Sequence, residues 1–373
     1  MKICTLTTYD VYNYGASLQA FALQEYLTQQ GHDVGIIRYQ PEYLSRKYDY
    51  RWVNPESKMS RWTVTRFIYR VAKYFQRQTT MGRKRMFDHF NHQVLRETRQ
   101  EYRTFEELCK NPPEADLYIC GSDQIWNVLY DAGRDPTFYL EFAPKGKKKA
   151  SYAASFSYLD IDQQNHERIA KSLRTFDAVS VRECHGIEIL NSMGIEGTWV
   201  LDPVFLLPAS YWRNFVKRGQ LQEESTQEPY LLVYDFEGNA LIKECAKTYA
   251  KEHHLKIYAI TDTYPLLYAD RNYRKAGPVE FVQMIEGCSA FMSNSFHGTA
   301  FSIIFHKPFF VFERHRHPVN SRMESLLTLF EVKDRMAESV KKISALPINW
   351  EKTEVIRQRM YQKSVDFLLA VTD

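Results

Sequence analysis

Residues 1–39 read MKICTLTTYDVYNYGASLQAFALQEYLTQQGHDVGIIRY, and this stretch predicts the fold. Residues 1–8 are apolar and β-branched, and residues 33–39 repeat that pattern. Between them, an amphipathic stretch from Ser17 to Gln30 ends at Gly31, a residue type that commonly terminates helices. Strand, helix and strand in this order form a βαβ unit, so we expect a parallel sheet.

The same alternation of strand and helix patterns continues along the chain. A polar stretch at 219–228 separates two halves, each with several short apolar runs followed by helical patterns. We therefore predict an α/β protein with two Rossmann-like domains that face each other across a cleft, where open parallel sheets bind their ligands. The predicted units are an N-terminal domain at 1–208, a C-terminal domain at 229–345, and a terminal helix at 350–373 that packs back on the first domain.

Residues 44–110 depart from this pattern because they are basic, aromatic and helical in character. We interpret them as a helical insertion in the first domain that covers one edge of the sheet. The alternative is a flap that binds the acceptor or a membrane surface through interleaved basic and aromatic side chains.

Composition excludes several classes of protein. The 373 residues are 44% hydrophobic and 25% charged, and 49 basic against 45 acidic side chains leave a net charge of +4. This balance excludes disorder and does not predict nucleic-acid binding, although a local basic patch suits an anionic small substrate. The aromatic share of 14% suits sugar ligands, but cores and interfaces account for it first.

Cysteine usage and hydropathy predict a cytoplasmic protein. The six cysteines are isolated and form no zinc-binding pair, so we expect buried free thiols in a reducing compartment. The N-terminus has no secretory pattern, and no apolar run approaches the roughly 18 residues of a membrane span. Membrane contact, at the inner face, would be peripheral.

The strongest candidate site is residues 292–299, MSNSFHGT, where an apolar strand runs into small polar residues that open a helix. Unpaired N–H groups at a helix N-terminus bind anions, and Gly298 permits close approach. His297 lies in the first turn, where it suits hydrogen bonding to a phosphoryl oxygen or proton transfer. The alternative is a capping serine followed by a surface histidine. The predicted ligand-binding residues here are Ser293, Asn294, Ser295 and Gly298.

Two other strand ends carry polar residues. Arg182 ends a predicted strand and offers a fork for carboxylate or phosphate, or else lies at the surface beside Glu183. In GSDQIWN at 121–127, Asp123 suits acid–base chemistry and Trp126 suits stacking on a sugar, whereas a helix cap and a core residue are the alternatives. The flanking Ser122 and Gln124 are candidates for substrate binding.

The first strand-to-helix junction supplies Asn13, Tyr14 and Gly15 as further binding candidates. It lacks the glycine spacing of a dinucleotide site and the Gly-Lys-Ser/Thr of a phosphate loop, which argues against NAD and against ATP hydrolysis of that type. After a later strand, ERHRH at 313–317 has two histidines but no further convergent ligands, so we predict no metal site. Arg314 and Arg316 belong to a substrate-facing basic loop or a solvated one.

The ordered set NYGASLQAFALQ, DLYICGSDQIWN, SYAASF, SVRE, VLDPVFLL and SNSFHGTAFSIIFHKPFFVF resembles the bacterial polysaccharide pyruvyl transferase family, from Met1 to about Arg335. The resemblance implies a GT-B-like fold without a cofactor. It also implies transfer of a pyruvyl group from phosphoenolpyruvate to a sugar, on a lipid-linked or nucleotide-linked acceptor, to give a pyruvate ketal. By the same resemblance, Arg182 matches the donor-binding arginine and His297 the catalytic or donor-binding histidine.

The sequence departs from some relatives just before this histidine. Those relatives have another basic side chain where Ser295 and Phe296 stand here. Arg314 or Arg316 is our candidate for the missing charge. Two alternative functions remain at this stage: a glycosyltransferase that uses a nucleotide sugar, and a saccharide-binding protein without catalysis.

Overall fold

Two five-stranded parallel sheets organise the protein. The computed structural model describes residues 1–44, 62–78, 80–157, 161–219, 228–262, 264–314, 321–340 and 347–373. The opening βαβ unit forms as predicted, with β1 (Lys2–Leu6), α1 (Tyr14–Gln29) and β2 (Asp33–Tyr39). β1 and β2 pair in parallel, with Ile3 opposite Val34.

The first sheet has the strand order β3-β2-β1-β4-β5. Isolated bridges from Ala150 to Ala178 and from Ala154 to Val181 continue it towards the short pair β6-β7. The remaining elements of this half are α2 (Thr63–Gln78), α3 (Met81–His89), β3 (Glu97–Tyr102), α4 (Phe105–Lys110), β4 (Leu117–Cys120), β5 (Lys148–Ser151), α5 (Gln163–Leu173), β6 (Ser180–Val181), α6 (Cys184–Ser192) and β7 (Thr198–Trp199).

The second sheet has the order β10-β9-β8-β11-β12, which repeats the doubly wound pattern of the first. The predicted α/β architecture is therefore confirmed. The elements of this half and the terminal helix are α7 (Ala209–Gly219), β8 (Tyr230–Tyr234), α8 (Ala240–Glu252), β9 (Lys256–Ile260), β10 (Arg271–Tyr273), α9 (Pro278–Gly287), β11 (Ala290–Ser293), α10 (Phe296–Ile304), β12 (Phe309–Val311), α11 (Ser321–Leu329) and α12 (Trp350–Thr372).

The insertion predicted at 44–110 is not wholly helical. Its last part includes β3, which pairs in parallel with β2 and forms the edge of the first sheet. The sequence of β3, ETRQEY, is polar and largely accessible, since an edge strand has one side without a neighbour. The sequence analysis identified strands by their apolar runs, so it did not predict this polar strand. The helix α2 exposes most of the apolar side chains that the structure describes in it.

The two halves pack through aromatic side chains. Tyr14 of α1 stacks on Phe281 of α9 with ring centroids 4.5 Å apart, and its hydroxyl donates to the carbonyl of Ala276 at 2.9 Å. Phe21 of α1 also contacts Phe215 of α7, with ring centroids 4.7 Å apart. One cluster of buried hydrophobic residues runs through both halves. Because a hydrophobic interface resists relative movement, the cleft between the halves is largely preformed.

The terminal helix α12 touches both halves. Ser364 accepts a hydrogen bond from the Leu201 N–H at 2.9 Å, beside the first domain. At its start, the Trp350 ring stacks on His306 at 5.0 Å.

The cysteines are free thiols, but not all are buried as predicted. Cys109 is exposed because it lies on the outer face of α4, and Cys184 is half-buried.

Candidate functional site

A cavity of about 280 Å³ lies between the carboxyl ends of the two sheets. Its wall comes from the loops that follow β1, β4, β8, β11 and β12 and from the start of α11. This is the place where open parallel sheets bind ligands. The residues that line it are Asn13, Asp123, Gln124, Tyr130, Phe236, Asn294, Ser295, Phe296, His297, Phe312, Arg314, Arg322 and Met323.

Two helices, one from each half, begin at this cavity. Asn13 caps α1 by accepting from the Ala16 N–H at 3.3 Å, and Ser295 caps α10 by accepting from the Gly298 N–H at 3.2 Å. The first turn of neither helix contains an acidic residue. The positive ends of both helix dipoles therefore favour an anion in the cavity.

His297, in the first turn of α10, is paired with a buried carboxylate. Its Nε2 lies 3.3 Å from Asp202 Oδ2, and Arg182 Nη1 donates to the same oxygen at 2.6 Å. Burial opposes ionisation of Asp202, yet His297 and Arg182 hold its pKa well below the ordinary range. Asp202 thus limits the orientation of the imidazole.

The structure explains why glycine stands at position 15. A Cβ at Gly15 would lie 1.8 Å from His297 Nδ1, far closer than any contact allows. The imidazole of the second half therefore lies directly against the start of α1 in the first. With Nε2 on Asp202, the other ring nitrogen lies beside this helix N-terminus.

We expect Gly15→Ala to lower kcat/KM by at least about tenfold, because the new methyl group displaces His297 from Asp202. Apart from this clash, alanine has the higher helix propensity and should stabilise α1 by up to about 1 kcal/mol. Steady-state kinetics and thermal unfolding of the variant measure both effects. Gly35→Ala is the matched control, because its nearest neighbour would be Thr98 at 3.8 Å. Equal activity of the two variants would contradict this account of Gly15.

Arg322 at the start of α11 is a cavity residue that the sequence analysis missed. Its guanidinium is 91% buried, and Nη1 lies 3.5 Å from Asp123 Oδ1. Gln124, with its amide oxygen turned towards this group, accepts from Nη2 at 2.8 Å. The buried Nε has no hydrogen-bond partner among the described residues. Burial and the neighbouring Arg182 lower the pKa of Arg322 to about 10, so the charge of Asp123 does not fully compensate this buried guanidinium.

Phe296, the residue at the departure from the family pattern, lies between two arginines. The guanidinium carbon of Arg182 is 4.5 Å from its ring centroid, and that of Arg322 is 5.9 Å away. Both distances allow cation–π attraction. Arg322 of α11 thus places a positive charge beside Phe296, where this sequence has no arginine or lysine of its own.

Asp123 lies between the same two cations. Arg182 Nη2 donates to its Oδ1 at 3.3 Å, and Arg322 approaches that oxygen from the cavity side. Burial alone would raise the pKa of Asp123, but the two arginines outweigh it and the net shift is downward. Asp123 is therefore ionised at neutral pH, and it suits proton acceptance rather than donation.

The depressed pKa values predict acid sensitivity. The stability contributed by Asp202 and Asp123 is complete above about pH 4 and is lost as the pH falls through their folded values, since the unfolded state then binds more protons. We expect Asp202→Asn to cost about 3–5 kcal/mol near neutral pH by leaving Arg182 undercompensated. As the pH falls below 4, the free energy of unfolding should decrease less in this variant than in wild type. Urea unfolding across this pH range measures both, and parallel curves for variant and wild type would contradict the assignment.

Several predicted binding residues do not reach the cavity. Trp126 is fully buried, donates from its indole N–H to the Phe138 carbonyl at 3.1 Å and stacks on Tyr139, so it is a core residue and not a platform for a sugar. Ser122 is also buried and donates to the carbonyl of Ala153 at 2.9 Å.

Three further candidates have structural contacts instead. Tyr14 belongs to the interface between the halves, and the Ser293 hydroxyl donates to the carbonyl of Tyr234. Gly298 is required by packing, because a Cβ there would lie 2.6 Å from the ring of Phe291.

The remaining predicted residues are distributed as follows. Arg182 is buried behind the cavity, where both terminal nitrogens bind carboxylates. Asn294 lies on the cavity and also orders the loop after β8, by accepting from the Phe236 N–H at 3.2 Å. Arg314 lies on the cavity as well, but its Nε donates to Glu237 at 3.1 Å. Arg316 is outside the described residues.

Two negative findings apply to the described ranges only. They contain no cluster of three or more His, Cys, Asp or Glu side chains suited to a metal ion. None of their helices combines the length and apolar character needed to cross a bilayer.

Comparisons with known proteins agree with this architecture. The sequence profile described as polysaccharide pyruvyl transferase matches residues 13–316. No curated protein sequence matches the chain. Among solved structures, a UDP-N-acetylglucosamine 2-epimerase from Listeria monocytogenes is similar with a TM-score of 0.50 and 7% identity, over 97% of this chain and 90% of that one.

Other solved structures are similar at slightly lower scores. The UDP-GlcNAc 2-epimerase from Neisseria meningitidis has a TM-score of 0.49 and 11% identity over 99% of this chain and all of its own. The glycosyltransferase SnogD from Streptomyces nogalater has 0.45 and 11% over 100% of this chain and 99% of its own. Identities this low show a shared fold alone, and the predicted GT-B-like arrangement of two Rossmann-like domains is confirmed.

Proposed function

This chain belongs to the polysaccharide pyruvyl transferase family, and we propose that it moves a pyruvyl group from phosphoenolpyruvate to a sugar, forming a pyruvate ketal. The observation that carries the proposal is the cavity between the halves. Two helix N-termini without acidic first turns meet there beside Arg322 and His297. The volume of about 280 Å³ is close to the lower end of small-molecule pockets.

Phosphoenolpyruvate matches the charges of this cavity. It has a phosphate and a carboxylate on one small enol, so its site needs several fixed cationic or N–H groups at short range. Arg322 offers a guanidinium with an unused Nε, and the ends of α1 and α10 offer backbone N–H groups. We assign the phosphate to the α10 end, beside His297, and the carboxylate to Arg322.

The reaction needs one proton donor and one proton acceptor. Protonation of the methylene carbon makes the central carbon electrophilic, and a sugar hydroxyl then forms a C–O bond to it and gives up its proton. A second hydroxyl attacks the same carbon, the C–O bond to phosphate breaks, and phosphate leaves with the second proton. His297, held by Asp202, is our candidate for the donor, and the ionised Asp123 is our candidate for the acceptor.

Two aromatic side chains favour an acceptor sugar at the mouth of the cavity. Tyr130 and Phe236 line it and are 43% and 42% exposed. Flat, accessible rings suit the apolar face of a sugar. They replace the buried Trp126 as candidates for this contact.

The test is ligand-dependent stability followed by turnover. We expect phosphoenolpyruvate to raise the midpoint of thermal unfolding in proportion to the logarithm of its concentration, and UDP to have no comparable effect. With galactosyl or mannosyl acceptors, the amount of phosphate released should equal the amount of ketal formed. NMR of the new methyl group measures the ketal. Protection by UDP alone would favour glycosyl transfer. Binding of saccharides without phosphate release would favour a non-catalytic protein.

A further inference from the structure

The helix α2 is amphipathic, and among the described residues nothing covers its apolar face. Val64, Phe67, Ile68 and Val71 recur at the i, i+3, i+4, i+7 spacing that places residues on one side of a helix. Their exposed fractions are 69%, 68%, 60% and 39%, and Trp62 just before the helix is 73% exposed. A globular protein normally buries such a stripe against its core.

The same segment is strongly cationic. From Arg61 to Phe87 the sequence has eight arginines and lysines and no aspartate or glutamate. Within α2, Arg66 and Arg70 are four residues apart, and this spacing places them on one side of the helix, away from the apolar stripe. The near-neutral charge of the whole chain therefore conceals a local positive surface.

The helix α2 directly precedes α3, which contacts the segment that contributes Asn13 to the cavity. Arg83 of α3 is buried, and it donates to the carbonyl of Tyr12 at 2.9 Å and to the hydroxyl of Tyr14 at 3.2 Å. These two tyrosines flank Asn13, which lines the cavity. Since α2 ends at Gln78 and α3 begins at Met81, the C-terminal end of α2 is close in the chain to this contact, and the helix is about 24 Å long.

We propose that α2 is a membrane-surface helix that lies in the plane of an anionic bilayer, with its apolar stripe in the acyl–headgroup boundary. An anionic lipid surface is favoured by an exposed apolar stripe combined with positive charge that has no acidic residue near it in the sequence. A protein partner would need only one of these two features. The helix would hold the cavity next to the bilayer, within reach of an acceptor sugar carried on a lipid. This last consequence rests on the proposed function, but the membrane contact does not.

The test uses the full chain and vesicle flotation. We expect at least about tenfold tighter binding to phosphatidylcholine vesicles that contain phosphatidylglycerol than to phosphatidylcholine alone, and weaker binding as salt increases. The double variant Phe67→Ser, Ile68→Ser should lose at least about tenfold of this binding. Leu267→Ser is the matched control, because Leu267 is 95% exposed and lies outside α2; it should bind as wild type does.

Two further measurements separate the outcomes. The double variant should keep the thermal unfolding midpoint and the turnover of a water-soluble acceptor, so loss of vesicle binding cannot be attributed to misfolding or to a failed catalytic assignment. Absence of binding to anionic vesicles, or equal binding by the double variant, would overturn the proposal. Sedimentation of wild type and double variant would then test the other occupant: self-association that is lost in the double variant would assign the apolar stripe to contact with a second copy of the chain.

Discussion

Replacing His297 with glutamine should lower kcat by about a thousandfold, within the range that a positioned acid–base group supplies. Glutamine can still hydrogen-bond to Asp202, so the buried carboxylate keeps a partner and the fold should persist. It cannot transfer a proton. We therefore expect kcat to fall while the affinity for phosphoenolpyruvate changes little, because Arg322 and the helix N-termini remain.

The measurement is a steady-state comparison across pH. The kcat of His297→Gln should stay far below that of wild type at every pH tested, with little change in the KM for phosphoenolpyruvate. His306→Gln is the control, since His306 is a 44% exposed histidine whose neighbours are Glu354 and Trp350. A His297→Gln variant with wild-type kcat would exclude His297 from proton transfer.

The sequence predicted the fold well because its parallel strands are buried. β4 and β8 are apolar throughout, β11 is apolar up to its final Ser293, and all three are interior strands whose two faces are covered. The edges were harder to predict. β3 is polar, and β10 has only three residues, so neither has the apolar run that marks a central strand.

The site was predicted where chain order and strand ends suffice. His297, Asp123 and Asn13 each follow a strand, and the topology brings them to one cavity. The prediction for Trp126 required side-chain geometry that the sequence does not provide. Trp126 is close to Asp123 in sequence but points into the core, and nothing in GSDQIWN distinguishes the two directions.

Arg322, by contrast, is a cavity residue that the sequence analysis did not predict. It lies in the first turn of α11, after the last recognised motif ends at Phe312, and it does not directly follow a strand. The one available signal was indirect: the missing basic residue at Ser295-Phe296 implied that a cation must come from elsewhere. The structure identifies Arg322 as a cation at this point, whereas Arg314, one of the two candidates from the sequence, has its Nε engaged by Glu237.

Arg322→Gln is therefore expected to weaken phosphoenolpyruvate binding by about a hundredfold. Charge-assisted hydrogen bonds contribute up to about 3 kcal/mol, and each 1.4 kcal/mol is about tenfold in affinity. The depressed pKa of Arg322 supports a large effect, because a buried guanidinium short of negative charge gains most from a bound anion. Glutamine preserves much of the length and polarity but removes the charge.

Titration of the free protein with phosphoenolpyruvate measures this loss without requiring turnover. Arg322→Lys should recover part of the affinity, since a lysine keeps the charge but not the planar fork. Arg314→Gln provides the comparison within the same cavity, and its existing ion pair with Glu237 predicts a loss of less than about tenfold. If Arg314→Gln instead weakens binding more than Arg322→Gln, the donor carboxylate lies on the β12 side of the cavity and the assignment to Arg322 is wrong.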